Sequence, residues 1–122
     1  MRRTASDPTA RFFAALAERG DEPFLRKATG SIRFDIADGR RTRRWLVTVD
    51  KGALAVTSGG IDPTCVVRAD KGVFDRVASG RLNAVAAVLR GDVVVEGDWR
   101  MLVRVQRLFP SPPRPRRRTG AA

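Results

Sequence analysis

Apolar residues recur along this chain with two different periods, and the changes of period divide it into elements. Near the start, Asp7 and Pro8 read as a helix N-cap and a first helical position. Phe12, Phe13 and Leu16 then share one side of a helix that runs to about Arg19 and stops at Gly20. From Ile32 the period becomes two: Ile32, Phe34 and Ile36 alternate with Arg33 and Asp35, the mark of a half-buried strand. The turn at Ala37-Asp38-Gly39 and a basic tip lead into Trp45, Val47 and Val49, which alternate with Leu46, Thr48 and Asp50 and predict an antiparallel partner. Lys51-Gly52 turns the chain again, and Ala53 to Thr57 makes a short third strand. The loop Ser58-Gly59-Gly60-Ile61-Asp62-Pro63 interrupts, and Thr64 to Ala69 makes a fourth strand. These four strands are expected to follow one another as a meander.

At Asp70 the period returns to that of a helix, with Val73, Phe74, Val77 and Ala78 on one face and Gly80 at the end. Leu82, Val85, Ala86, Val88 and Leu89 form a second short apolar segment that stops at Gly91. Val93 to Glu96 reads as a fifth strand closed by Gly97. Asp98 then caps a last helix. There Arg100, Arg104 and Arg107 make one stripe, and Trp99, Leu102, Val103 and Leu108 are expected to face inward on the other.

Composition narrows the chemistry. At 122 residues the chain is about one domain, able to bury roughly two thirds of its unfolded surface. With no histidine and no tyrosine it lacks the commonest general base and metal ligand. No phosphate-cradling GxxxxGK[ST] loop, GxGxxG turn or GxSxG elbow occurs. Asp35 with Asp38, and Glu96 with Asp98, are explained by turns and caps. Neither a catalytic residue, a metal nor a cofactor is expected. A single cysteine, Cys65, alternates onto the face of Val67 and reads as a small buried hydrophobe. That fits a reducing compartment, and the leading MRRTASDP opens no apolar signal region, so the cytoplasm is expected.

The net charge of +11 raises the question of an anionic partner, and its placement matters more than its size. Arg2 and Arg3 contribute two charges, Arg114, Arg116, Arg117 and Arg118 four, and Arg40, Arg41, Arg43 and Arg44 less Asp38 a net three, leaving two for the rest. The domain is therefore expected over residues 7–109, with a flexible 1–6 and a disordered Pro/Arg-rich 110–122. In that last segment Arg116, Arg117 and Arg118 are candidates for an anionic membrane surface.

The segment DKGVFDRVASGRLNAVAAVLRGDVVVEGDWRMLVRVQRLF, residues 70–109, resembles the sterol carrier protein type two family. Asp70 opening a helix with a buried Phe74, Gly80 before an apolar helix, and Gly91, Gly97 and Asp98 framing a G-x-V-x-V-x-G-D strand occupy that family's places. The upstream hairpin with Trp45 extends the resemblance to residues 30–109. The resemblance implies an α+β fold: a five-stranded, mostly antiparallel sheet covered on one face by helices, with an apolar tunnel between. It also implies non-catalytic binding, transfer or presentation of a fatty acid, acyl-CoA, sterol, phospholipid or isoprenoid lipid. The tunnel's lining would come from Phe34, Trp45, Val47, Phe74, Val77, Leu82, Val85, Leu89, Val95, Trp99, Leu102 and Val103, and the head group would meet Arg44 and Arg104. The terminal TGAA lacks the peroxisomal SKL signal, so a bacterial stand-alone member is expected.

Lining and filling side chains have the same periodicity, so the residues alone leave wall and core undivided. Besides the lipid, a partner enzyme to which it is presented and an anionic membrane are expected partners. Two rival functions stay open: nucleic-acid binding through the hairpin tip and tail, disfavoured because Trp45 and Trp99 read as inward, and a structural accessory role in an enzyme complex. Leu89→Arg is expected to abolish lipid binding at some cost to folding.

Overall fold

Asp7 accepts the Ala10 N–H (3.1 Å), and with Pro8 in the first helical turn it starts α1, Pro8–Arg19. The computed structural model describes residues 7–58 and 62–110; the expected basic N-terminus and Pro/Arg-rich tail lie outside them. The remaining elements are β1 (Thr29–Asp38), β2 (Arg41–Asp50), β3 (Ala53–Thr57), β4 (Cys65–Asp70), α2 (Lys71–Ala78), α3 (Ala84–Leu89), β5 (Val93–Gly97) and α4 (Trp99–Val105), with short 3-10 turns at Pro23–Leu25 and Gln106–Leu108.

β1 and β2 form the long hairpin that the alternation predicts, with Phe34 opposite Trp45 and Ile32 opposite Val47. Lys51 and Gly52, both at positive φ (53° and 95°), reverse the chain into β3 as a two-residue turn of the kind that suits strand twist. The meander ends there. β4 pairs with β1 rather than β3, and in parallel, with Phe34 beside Val67, so the sheet order is β3-β2-β1-β4-β5. Alternation shows which face a residue occupies but not which strand lies next to it. The other three pairings are antiparallel.

One face of the sheet is packed solid by rings. Phe13 stacks on Trp45 (centroids 4.5 Å apart, 12° between planes) and on Phe74 (5.7 Å, 4°), Phe34 meets Phe74 edge-on at 5.6 Å, and Phe12 stacks on Phe109 at 4.7 Å. α1 and α2 are tied by charge at their N-termini. Lys71 Nζ reaches Asp7 Oδ1 (3.2 Å) and Asp75 Oδ2 (2.9 Å), and the buried Thr9 hydroxyl donates to Asp75 Oδ1 (2.7 Å).

Among the described residues no helix covers the other sheet face. There Asp35 is held almost fully buried by arginines: Arg33 donates to both its oxygens (2.9 and 3.0 Å), while Arg44 Nε and Arg68 Nε lie at 3.4 and 3.8 Å. Gly97 places the last connection. A Cβ on it would stand 2.7 Å from the Thr64 carbonyl oxygen, at a φ of 92° that side chains rarely adopt. The close approach lets the Asp98 N–H donate to that same carbonyl, pinning the start of α4 to the start of β4.

Candidate functional site

The sequence offers twelve apolar candidates for a ligand wall, and the structure divides them. Phe34, Val47, Phe74 and Val77 are buried in the ring-packed core. Trp45 is half-buried against Phe13, with the Arg43 guanidinium 4.5 Å over its ring. Leu82 packs on the edge of the same core. The other six, Val85, Leu89, Val95, Trp99, Leu102 and Val103, come together with Val88 around one cleft of about 310 Å³.

That cleft sits where three elements meet. α3 is started by Asn83, whose side-chain oxygen accepts the Ala86 N–H (2.9 Å), and only Ala87 of this helix is fully buried. Its Val85, Val88 and Leu89 face the gap, Val88 following Val85 by three residues, which puts them on one face. Val88 is absent from the expected lining, although the same spacing marks it. β5 contributes Val95. α4, begun by Asp98 accepting the Arg100 N–H (3.1 Å), contributes Leu102, which is buried, and Trp99 and Val103, which are exposed. The expected inward placement thus holds for Leu102 and Leu108 and is corrected for Trp99 and Val103. Met101, Leu102 and Val105 face the sheet, and Trp99 and Val103 occupy a stripe rotated away from it.

Among the described residues no polar side chain lines this cleft. Two larger hollows are of another kind. One, of about 410 Å³ on the uncovered sheet face, is lined by Asp35, Arg44, Arg68, Asp70 and Asp92 among others; another, of about 510 Å³ beside α1, includes Arg11, Arg19 and Arg107. Arg44, expected at the head-group end, lies in the first of these, across the sheet from the apolar cleft. Arg104 stands exposed on α4 next to Val103, and Arg116, Arg117 and Arg118 lie outside the described residues. At the hairpin tip Arg43 is engaged by Trp45 and Arg44 by Asp35, so the tip does not present four free cations to a nucleic acid.

Cys65 is buried, and desolvation together with the negative charge of Asp98 pushes its thiol up to about 11. It stays protonated at neutral pH and is a poor nucleophile. Among the described residues no group of three or more His, Cys, Asp or Glu could hold a metal ion, and no helix is long and apolar enough to cross a membrane.

The SCP-2 sterol transfer family matches residues 11–110. Among solved structures, palmitated SCP2L2 from Aedes aegypti superposes with a TM-score of 0.72 at 16% identity, over 88% of this chain and 97% of its own. The sterol carrier protein domain 2 of Helicoverpa armigera does so with 0.68 at 19%, over 88% and 89%. The sec-alkylsulfatase Pisa1 from Pseudomonas sp. matches with 0.65 at 22%, over 84% of this chain and 16% of that much longer one. No curated protein matches by sequence.

Proposed function

The chain belongs to the SCP-2 sterol transfer family, and from that premise we propose that it carries a single lipid in the cleft between α3, β5 and α4, without a catalytic step. The observation that supports this most is the lining itself: among the described residues, seven apolar side chains and no polar one, beside a core filled by phenylalanine rings. At about 310 Å³ the cleft is near the lower end of ligand sites, which run from about 300 to 1,000 Å³, and suits one elongated chain better than a bulky ring system. The palmitated Aedes relative supports a fatty acid as the first ligand to try. Each methylene moved from water into such a space contributes about 0.8 kcal/mol, so a long acyl chain needs no polar anchor to bind. Arg104, beside the cleft, meets the head group in this reading.

Presentation of the lipid to an enzyme is a further part of the proposal, supported by the occurrence of the same fold within a longer alkylsulfatase chain. A free, unreactive Cys65 is in keeping with a reducing, cytoplasmic setting.

The test is native mass spectrometry of the full chain with palmitate, combined with fluorescence. Trp45→Phe leaves Trp99, at the cleft, as the sole tryptophan reporter. A saturable one-to-one adduct, with Trp99 quenched by a brominated fatty acid, is expected. A mass that stays unshifted with palmitate, acyl-CoA, sterol and phospholipid would overturn the proposal.

A further inference from the structure

The hollow of about 510 Å³ beside α1 shares no lining residue with the lipid cleft. It lies between α1, the end of α2 and the 3-10 turn at Gln106–Leu108. Its floor is apolar: Phe12 and Phe109, stacked on each other at 4.7 Å, with Leu108 beside them. Arg11, Ala15 and Arg19 line it from α1 at i, i+4 and i+8, so they make one row along the helix, with the smallest side chain in the middle. Arg107 lines it from the 3-10 turn, its guanidinium 4.3 Å over the Phe24 ring.

Three guanidinium groups thus border one hollow, and among the described residues no carboxylate lines it. On the opposite sheet face, by contrast, Arg44 and Arg68 close on Asp35. Arg11 and Arg107 make no ion pair among the described residues, and Arg19 has Glu22 at 3.3 Å. The chain runs on from Pro110, at the edge of the hollow, into a segment with Arg114, Arg116, Arg117 and Arg118 and no acidic side chain. That segment adds positive charge instead of neutralising it, so it is not the occupant. Like charges gathered over an apolar floor repel one another, and an anionic guest relieves that repulsion. A nucleic acid would supply anions but leave the floor unused, because Phe12 and Phe109 are buried against each other and offer no platform for a base. A protein segment supplies carboxylates and an apolar side chain together.

We infer that this groove takes an acidic helix of a partner protein, laid along α1, with carboxylates on Arg11 and Arg19 and an apolar side chain between them over Ala15. Arg11 and Arg19 are two turns apart, about 12 Å of helix, so the partner's carboxylates need the same spacing. Arg107 meets the same segment from the other side. This is recognition of a helix in a groove, with arginines and one apolar anchor carrying the contact. It goes beyond the lipid-carrier reading and does not depend on it, since groove and cleft are built from different residues.

The experiment is fluorescence anisotropy of a fluorescein-labelled helical peptide, with glutamates at i and i+8 and a leucine at i+4, titrated with the full chain. A peptide of the same composition in scrambled order is the control. The designed order is expected to bind, to weaken as salt rises, and to exceed the scrambled one by at least about fivefold. Arg11→Gln/Arg107→Gln is expected to lose at least about tenfold. Arg40→Gln/Arg90→Gln, at the hairpin tip and the end of α3, removes the same charge and is expected to stay within about twofold of wild type. Ala15→Lys adds a cation but fills the gap in the row, and is expected to weaken the peptide about fivefold, whereas attraction by charge alone would tighten it. Arg11, Ala15 and Arg107 are exposed, so the groove variants keep the fold, which unchanged urea midpoints check.

Designed and scrambled peptides that bind alike, groove variants that bind like the wild type, or an Ala15→Lys protein that binds more tightly would each overturn the inference. So would an oligonucleotide or a phosphatidylglycerol vesicle that is held more tightly than the peptide and lost with the same groove variants, or self-association in sedimentation velocity that those variants abolish. Palmitate capture by the wild type separates the two proposals. Capture with no peptide binding sinks the groove alone, whereas peptide binding with no capture sinks the carrier alone.

Discussion

Residues with the same apolar character do three different jobs here, and burial separates them. Phe74 lies at the centre of the rings, with centroids 6.0 Å from Phe12, 5.7 Å from Phe13, 5.6 Å from Phe34 and 6.0 Å from Phe109. Phe74→Ala therefore opens a hole that several rigid neighbours would have to collapse around, and it is expected to cost about 3–5 kcal/mol. Leu89 is the opposite case. Its side chain stands largely in water, so Leu89→Arg is expected to change stability by less than about 0.5 kcal/mol, rather than at the folding cost that its place in an apolar helix suggests. The same substitution puts a charge on the edge of the cleft and should weaken palmitate capture. Urea titrations of the two variants beside palmitate mass shifts check both statements: a Leu89→Arg protein as destabilised as Phe74→Ala would mean that α3 is buried where the structure leaves it open. Sequence could name both residues as apolar and helical, but it could not tell them apart, because spacing identifies a shared face and not what that face meets.

At the scale of elements, the caps and turns were the most legible part. Asp7, Asn83 and Asp98 each accept a backbone N–H from the first turn of the helix they start, and of these Asp7 and Asp98 could be read from sequence because a polar cap is a local need. The tie between α1 and α2 could not, since its partners are far apart in the chain. Burial alone would raise the pKa of Asp7, but the Ala10 N–H and the Lys71 ammonium outweigh it and hold the carboxyl below its ordinary value. Lys71 is likewise opposed by desolvation, yet its hydrogen bonds to Asp75 and Asp7 raise it. An aspartate with a lowered folded pKa binds fewer protons folded than unfolded. Its contribution is therefore present above the unfolded value of about 3.9 and is lost as pH falls through the lower, folded value. Lys71 contributes below its ordinary value of about 10.4, and that contribution fades only as pH rises beyond it. Urea midpoints measured from pH 6 down to pH 2 are expected to fall below about pH 4 in the wild type. Asp7→Asn should start from lower stability, by about 0.5–2 kcal/mol for a weakened cap and a lost ion pair, and should decline less steeply. An unchanged acid slope in that variant would show that other carboxylates carry it.

For the whole molecule, the order of elements was readable and the neighbours in the sheet were not. The parallel placement of β4 beside β1 brings Cys65 next to Ile32 and puts β5 at the sheet edge, and through Gly97 and Asp98 it decides where α4 crosses. This one non-local pairing divides the apolar residues: those facing α1 and α2 meet phenylalanine rings and are filled in, while those on α3, β5 and α4 meet one another across a gap. A protein built this way should not open uniformly. β1, β2 and β4 lie inside the sheet over the solid core, whereas α3 has a single fully buried side chain and β5 is an edge strand. Native-state hydrogen exchange is expected to show the slowest amides in β1, β2 and β4, exchanging only through global unfolding, and faster ones in Ala84–Leu89, Val93–Gly97 and Trp99–Val105. Palmitate, by binding the folded cleft, should slow exchange in those three segments by more than it slows the central strands. Protection gained equally everywhere would mean only that the ligand stabilises the fold as a whole. Protection centred on Phe34 and Phe74 would move the binding space into the core, and the cleft would no longer be its site.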